Sequence, residues 1–481
     1  MNTTTKHSAE SMKTATQPNI ILFTVHDLGD FTSPYGHPIK TPNFDRFARE
    51  GVVCENHFTQ GAVCSPSRGC IVTGCYPHTH GLMGLVHRGW VLDTDKVTPL
   101  PSLLRSQGYE THLFGFQHEH YDPAKLGYGE RHPMKDTHAD TVMDSLVPWL
   151  KARAGTGADS SGGADGGRGA VDVGGTARGT GASGSAPFFA AVGTSEVHRM
   201  GMNPAGFKDP RYTPVDPASV AVPPWMPDIP EIRADLADFY GCVSFMDSQF
   251  GRMLDALDAA GLAENTLVVF TTDHGASFIH GKGSSYDGGV KVAQQWRFPG
   301  VLPSGKRCSA LTAHVDLLPT MFELLGFPVP AQVQGLSFLP QLLGQGGACG
   351  RDYVFGEKNY TNSYDPTRWA RNHRYKYIRR GIRSCIFDFL IPELELQRAD
   401  FRRVKAVWDF YSARRETEEL FDLEKDPGEL RNLLEDPAYA PALAEMRRAL
   451  DAHLVAVDDP FRFINSDILP MPRDTYREVR P

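Results

Sequence analysis

From Pro18 onward the chain alternates short apolar runs with longer amphipathic ones. "PNIILFTV" (18–25) is a β-branched run after a proline that ends in polar "HDLGD", the pattern of a strand buried on both faces. "TPNFDRFAREG" carries start and stop residues and predicts a helix ending at Gly51. "SLLRSQGYETHLFGFQH" reads as helix then strand, and "APFFAAVGT" reads as strand. "RADLADFYGCVSFMDSQFGRMLDALDAAG" is a long helix before the strand "TLVVFTT". Strands separated by helices predict an α/β class: an open, largely parallel sheet with helices on both faces.

The pattern changes twice. Between 154 and 186 the chain is Gly, Ala, Ser and Asp with almost no large apolar side chains, too little to bury for the cost of ordering. A helix-like segment precedes it and a core-type strand follows, so it reads as a disordered insertion in a surface loop, ahead of the alternative of a domain boundary, and is expected to be removable with little loss of activity. From about 346, "RDYVFGEK", "RWARNHRYKYIRR" and "EELFDL" read as shorter amphipathic strands, and "PALAEMRRALDAHLVAV" as a helix. The expected organisation is a polar tail (1–17), an α/β domain (18–345) and a smaller C-terminal α+β domain (346–481) with an antiparallel sheet. No internal repeat is evident.

Composition narrows the function. A chain of 481 residues can bury a sizeable core, and its net charge of -8 gives no basic excess of the kind that marks nucleic-acid or anionic-membrane binding. Any anion must therefore be met by a local site. The polar start "MNTTTKHSAESMKTATQ" lacks the apolar stretch of a secretory signal, and no segment has the length of a membrane span, so the expectation is a soluble cytoplasmic protein. The 8 cysteines lack the paired spacing of a zinc site or disulfide framework, which favours reduced thiols.

In open α/β sheets ligands bind beyond the carboxyl ends of the strands. His26 and Asp27 follow "PNIILFTV", His118 follows "THLFGF", His198 and Arg199 follow "PFFAAVGTSEV", and Asp273 and His274 follow "TLVVFTT". Each alone has an ordinary reading, since Asx turns are common after strands and most lone histidines are satisfied surface or core groups. Unrelated caps have no reason to share residue types along one sheet edge, so the joint occurrence favours a site. Asp27, Asp273 and His274 would supply hard oxygen ligands plus a nitrogen, which suits Ca²⁺ or Mg²⁺, with Mn²⁺ possible. Lys282, between two glycines in "HGKGSSYDGG", can approach an anion without hindrance, although glycine-rich loops are also simply loops.

"CSPSRGCIVTG" (64–74) adds a cysteine at a helix mouth. Ser65 then Pro66 read as cap and first helical residue, and Gly74 as the stop. A thiol there could have a lowered pKa. A cysteine without context is more often buried and inert, but packing alone does not call for the Pro-Ser-Arg that follows.

"CSPSRGCIVTG" has the C-x-P-S-R-x-x-x-x-T-G form of the type I sulfatases, and the chain resembles that family also in "PNIILFTVHDLG", "TPNFDRFAREG", "YPHTHG", "TTDHG", "GKGSSYDGGV" and "ELFDLEKDPGELRNL". "VPPWMPDIPEIRADLADFY", "VHR" and "DDPF" look closest to the heparan N-sulfatase (sulfamidase) type. The resemblance implies an alkaline phosphatase-like fold and conversion of Cys64 to formylglycine by a formylglycine-generating enzyme. It also implies a divalent cation, Ca²⁺ first, and a sulfated small molecule or saccharide as substrate. Asp27, Asp273 and His274 would then bind the cation, with Cys64 in its modified form and His26 beside them. Arg68 would hold the formylglycine hydrate, His118 would take the proton that triggers sulfate release, His198 would protonate the leaving group, and Lys282 would stabilise the sulfuryl oxygens. His78 in "YPHTHG" is expected as a further pocket residue.

Two positions depart from the family. His26 stands where a second acidic residue is usual, so the cation site is less negative, or His26 is itself a nitrogen ligand. Phe116 in "GFQH" stands where a lysine is usual, and one preorganised charged donor is commonly worth about 3 kcal/mol. A phosphodiester or phosphonate monoester hydrolase, or a degenerate binder of sulfated ligands, are the competing readings.

Overall fold

The computed structural model describes residues 17–154, 186–199, 206–345, 351–361, 364–382 and 416–463. The expected polar tail (1–17) and disordered insertion (154–186) lie, apart from their end residues, outside the described residues, as does part of the expected C-terminal domain.

The alternating pattern folds into an eight-stranded sheet of order β4-β3-β5-β1-β6-β7-β2-β8. The strands are β1 (Asn19–Val25), β2 (Val52–Phe58), β3 (Glu110–Gly115), β4 (Glu130–His132), β5 (Phe188–Gly193), β6 (Thr266–Thr272), β7 (Gln294–Arg297) and β8 (Lys306–Ala313). β1 pairs in parallel with β5 and β6, β3 with β4 and β5, and β2 with β8; β7 runs antiparallel to both its neighbours, β6 and β2.

Helices cover both faces, and β1 shows why its apolar run is continuous. Ile21, Phe23 and Val25 pack on one side with Phe44 and Phe47 of α1 (Pro42–Glu50), Val142 and Leu146 of α4 (Ala139–Arg153) and Phe250 and Leu254 of α5 (Pro230–Ala259). Ile20 and Leu22 pack on the other with Ile71 of α2 (Cys64–Thr73), Leu104 of α3 (Leu100–Ser106) and Leu318 of α6 (Leu317–Leu324). Burial of each such side chain contributes about 1.5–3 kcal/mol, so the centre of the sheet is the most strongly fixed part of the fold. The helices α1 and α5 and the strands β1, β3, β5 and β6 fall where the sequence pattern predicts them.

A second, antiparallel sheet has the order β12-β11-β10-β9, formed by β9 (Val354–Tyr360), β10 (Tyr364–Arg371), β11 (Tyr375–Arg380) and β12 (Glu418–Asp422). Its outer face is closed by α7 (Ala440–Ala456), whose Met446 and Leu450 bury against Ala370, Tyr377 and Leu420. Its inner face meets the first sheet through Phe58, Tyr286, Trp369, Ile378 and Phe421.

His78 belongs to this junction rather than to the pocket where it was expected. Its backbone N–H and Nδ1–H donate to the two oxygens of Glu357 at 2.6 and 2.7 Å, and Nε2–H donates to Val457 O at 3.1 Å. Arg368 adds a charge-assisted pair with Asp459, at 2.5 and 2.9 Å, in the same layer. Burial pulls the imidazole's pKa down, but the Glu357 carboxylate and its hydrogen bond, with Asp459 behind, hold it up at about 9. A folded-state pKa raised above the ordinary 6.5 contributes stability that is complete below pH 6.5 and is lost as pH rises through 9. Chemical denaturation should therefore show the wild type losing about 3 kcal/mol across that window, with His78→Gln flattening the slope.

Candidate active site at the strand ends

β1 and β6 pair to their last residues, Val25 opposite Thr272, so the residues that follow them emerge side by side. Asp273 N–H donates to Val25 O at 3.1 Å and Asp27 N–H donates to Asp273 Oδ1 at 2.9 Å, which locks the two chain reversals together. Asp27 sits at φ 54, in the left-handed region that costs a non-glycine residue about 1–2 kcal/mol. That strained turn directs its carboxylate toward the one on Asp273, and both are fully buried.

Cys64 arrives from the other side as the first residue of α2, every residue of which is buried. The helix starts earlier than its sequence suggests. Val63, in extended conformation, accepts the first helical bond from Ser67 N–H at 3.1 Å, so the expected cap at Ser65 is displaced by two residues. Ser65 Oγ accepts from Val86 N–H at 3.1 Å instead, tying the helix start to the neighbouring loop. Gly74 ends the helix as expected, at φ 69 with its N–H on Cys70 O.

Cys64 Sγ lies 3.3 Å from His274 Nε2. His274 Nε2 is also 3.2 Å from Asp27 Oδ1 and 3.6 Å from Asp273 Oδ1. Ligand atoms of His26, Asp27, Cys64, Asp273 and His274 all lie within 4.8 Å of one another. Two buried carboxylates converging with imidazole and residue 64 are a donor set that fits a hard divalent cation: oxygen-rich, anionic and closed off by packing. Burial opposes ionisation of the Cys64 thiol, yet Lys282, His26 and His274, with a hydrogen bond from His118, bring its pKa well below the ordinary value. The pull on the thiol thus comes from neighbouring cations rather than from the helix end alone.

His26 Nδ1 is 2.5 Å from Asp27 Oδ1 and 3.4 Å from Asp273 Oδ2. Burial works against the charged ring, but Asp273, Cys64 and Asp27 raise its pKa to about 10. In this arrangement Nδ1–H donates to Asp27 and the imidazolium supplies countercharge; to act as a ligand it would have to surrender that proton. Phe116 packs its ring 4.9 Å from His26, 5.3 Å from His118 and 4.9 Å beneath the Arg68 guanidinium. An aromatic plate therefore occupies the expected lysine position and orients the arginine.

The remaining expected residues surround this cluster. Arg68 Nε donates to Asp273 Oδ2 at 3.1 Å, while its buried Nη2 has no hydrogen-bond partner among the described residues. Lys282 Nζ donates to Asp27 Oδ2 at 2.7 Å and to His198 Nε2 at 2.9 Å, and His198 Nδ1–H donates to Arg199 O at 2.7 Å, which fixes the ring's orientation. Burial, then Lys282, lowers the His198 pKa.

Sequence reasoning missed several supports. Ser67 hydroxyl donates to Asp273 O and lies 3.2 Å from His314 Nδ1, so the motif serine anchors the carboxylate's backbone. Buried Glu119 accepts from His118 N–H at 2.8 Å. The His87 ring stacks on His118 with centroids 5.6 Å apart and Nδ1 3.5 Å from its Nε2. Ser67 was visible inside the motif and Glu119 beside His118, but nothing in "LVHRGW" marked His87.

Comparison with known proteins agrees with this geometry. An ulvan-active sulfatase of Formosa agariphila is 25% identical over 515 residues, covering 96% of this chain and 78% of that protein. The N-sulphoglucosamine sulphohydrolase of Homo sapiens is 27% identical over 503 residues, covering 92% and 91%. A solved structure from work on glycosaminoglycan metabolism by Bacteroides thetaiotaomicron superposes with a TM-score of 0.70 at 21% identity, covering 94% of this chain and 100% of that one, and shows the same alkaline phosphatase-like fold. The sulfatase family profile matches residues 18–327, the whole span that carries the strand-end cluster, and the chain belongs to that family as a type I sulfatase, a sulfuric ester hydrolase.

Proposed function

We propose that the substrate is a sulfated carbohydrate, cleaved at a sulfate ester or an N-sulfate by a formylglycine formed from Cys64 with a bound divalent cation. The observation that carries the reading is the placement of Cys64, inside the C-x-P-S-R motif, 3.3 Å from His274 Nε2 and among two buried carboxylates. The two relatives named above act, by their names, on ulvan and on N-sulphoglucosamine, which supports the substrate class.

Formylglycine at residue 64 would supply a hydrated aldehyde oxygen as the nucleophile toward sulfur, and a divalent cation in this site would supply Lewis-acid stabilisation of negative charge. Asp27, Asp273 and His274 would hold the cation, which we take as Ca²⁺ from the oxygen-rich donors, with Mg²⁺ and Mn²⁺ as the alternatives. Arg68 offers its unpartnered Nη2 to the modified residue. Lys282, already between Asp27 and His198, sets a positive charge where sulfuryl oxygens develop theirs. His198 donates the proton to the leaving oxygen or nitrogen from its protonated form, a stronger acid than an ordinary imidazolium but one that burial and Lys282 disfavour, so the ring has to take up a proton before it gives one. His118, held by Glu119 and His87, removes the proton whose loss releases sulfate. Cys64 matures through a formylglycine-generating enzyme.

Mass spectrometry of the Cys64 peptide from the native host should show the aldehyde in place of the thiol; an unmodified thiol in active enzyme overturns the mechanism. Lys282→Met is expected to lower kcat/KM by about 10²–10³-fold. His198→Gln should cost about 10²–10⁴-fold on a sugar sulfate or sulfamate and far less on an aryl sulfate with a good leaving group. Chelation should abolish turnover, with Ca²⁺ restoring it better than Mg²⁺ or Mn²⁺. Phosphodiester or phosphonate turnover without sulfate release would refute the substrate class, and failure of all turnover in modified, cation-loaded protein would leave only the binding reading.

A further inference from the structure

β4, three residues long, forms the far edge of the large sheet and, among the described residues, pairs only with β3. In that pairing His112 of β3 stands opposite Glu130, and His132 follows two residues along β4. His112 Nδ1 lies 3.3 Å from His132 Nε2 and 3.2 Å from Glu130 Oε2, with all three ligand atoms within 4.8 Å of one another. Ligands about 2.0–2.1 Å from a tetrahedral zinc ion stand about 3.4 Å apart, so the His112 separations already match the edge of that polyhedron.

The rings are held in place by packing. Phe114 stacks on His132 with centroids 3.8 Å apart and planes at 10°, and Trp149 of α4 packs on His112 at 4.8 Å. Buried His112 forms the floor, half-buried His132 the wall and exposed Glu130 the mouth, which leaves a path for an ion from solvent. Burial lowers both imidazole pKa values, so their lone pairs are available at neutral pH. On the other side of His112, Nε2 faces Glu110 Oε2 at 3.7 Å and Arg153 Nη2 at 3.4 Å, and Arg153 is itself paired with Glu110. Arg153 can only donate to Nε2, so an ion on Nδ1 would move the ring's hydrogen to Nε2 and turn that nitrogen from Arg153 to the Glu110 carboxylate, the arrangement that commonly orients a metal-bound histidine.

We propose that His112, His132 and Glu130 form a second metal site, for a borderline transition-metal ion such as Zn²⁺ or Co²⁺, with its fourth position open to solvent. Two imidazoles and one carboxylate favour such an ion over the Ca²⁺ or Mg²⁺ suited to the oxygen-rich centre at the strand ends, and the two sites share no residue. The ion clips the short edge strand to β3, the strand that leads to His118.

The test is Co²⁺ titration of the full-length protein kept in excess Ca²⁺, followed by visible absorption. One equivalent should develop the intense bands of a tetrahedral site and be displaced by Zn²⁺. His132→Gln and Glu130→Gln should each weaken binding by at least the roughly 10–100-fold that even outer-shell changes cost. Glu130 is exposed, so its replacement leaves the fold intact, while Asp273→Asn should leave the bands unchanged. Absence of the bands in the wild type, their persistence in both edge variants, or their loss in Asp273→Asn alone would overturn the proposal.

Discussion

The structure turns on the pairing of two chain reversals at the centre of the large sheet. β1 and β6 end in register, and the hydrogen bond from Asp27 N–H to Asp273 carboxylate fixes one buried acid by means of the other. Two carboxylates so close and so dry would repel strongly without cations. His26, Lys282 and Arg68 surround them, and each is oriented in turn by something else: Phe116 plates His26 and Arg68, and Lys282 is shared with His198. The site is thus one electrostatic unit rather than a set of independent side chains. Changing any member alters the balance seen by the rest.

Such a unit needs a stiff frame, and the two-faced core supplies it. Ile21 and Phe23 point into one helical layer while Ile20 and Leu22 point into the other, so the strand that carries His26 and Asp27 cannot shift register without exposing both sets. The second sheet contributes differently. It closes over the first through Trp369 and Phe421, and its Glu357 holds His78, which keeps "YPHTHG" against β9 instead of leaving it free near the pocket.

Much of this was legible in the sequence because local pattern and chemistry coincide there. The strand before His26, the strand before Asp273 and the helix ending at Gly51 each follow from periodicity and a nearby stop residue. Identity of the strand-end residues was legible for the same reason: they lie within a few positions of a strong apolar run. What could not be read were relations between distant segments. The reversed β7 has no local mark, since a short buried strand reads alike in either direction. The early start of α2 depends on the loop at Val86 taking the Ser65 hydroxyl, more than one turn of sequence away. His112 and His132 meet only because β3 pairs with β4, and His87 and His118 only because two segments distant in sequence meet.

The burial of α2 carries a consequence for the life history of the protein. Cys64 is 3% exposed, its helix has no exposed residue, and that helix is wedged between Asp273 and the second sheet. An enzyme that must grasp the peptide around residue 64 has no route to it once the sheet has closed. Any covalent change that needs such a grip would therefore have to precede folding, and folding would then seal it. A molecule that folds first is committed to its thiol for as long as it stays folded.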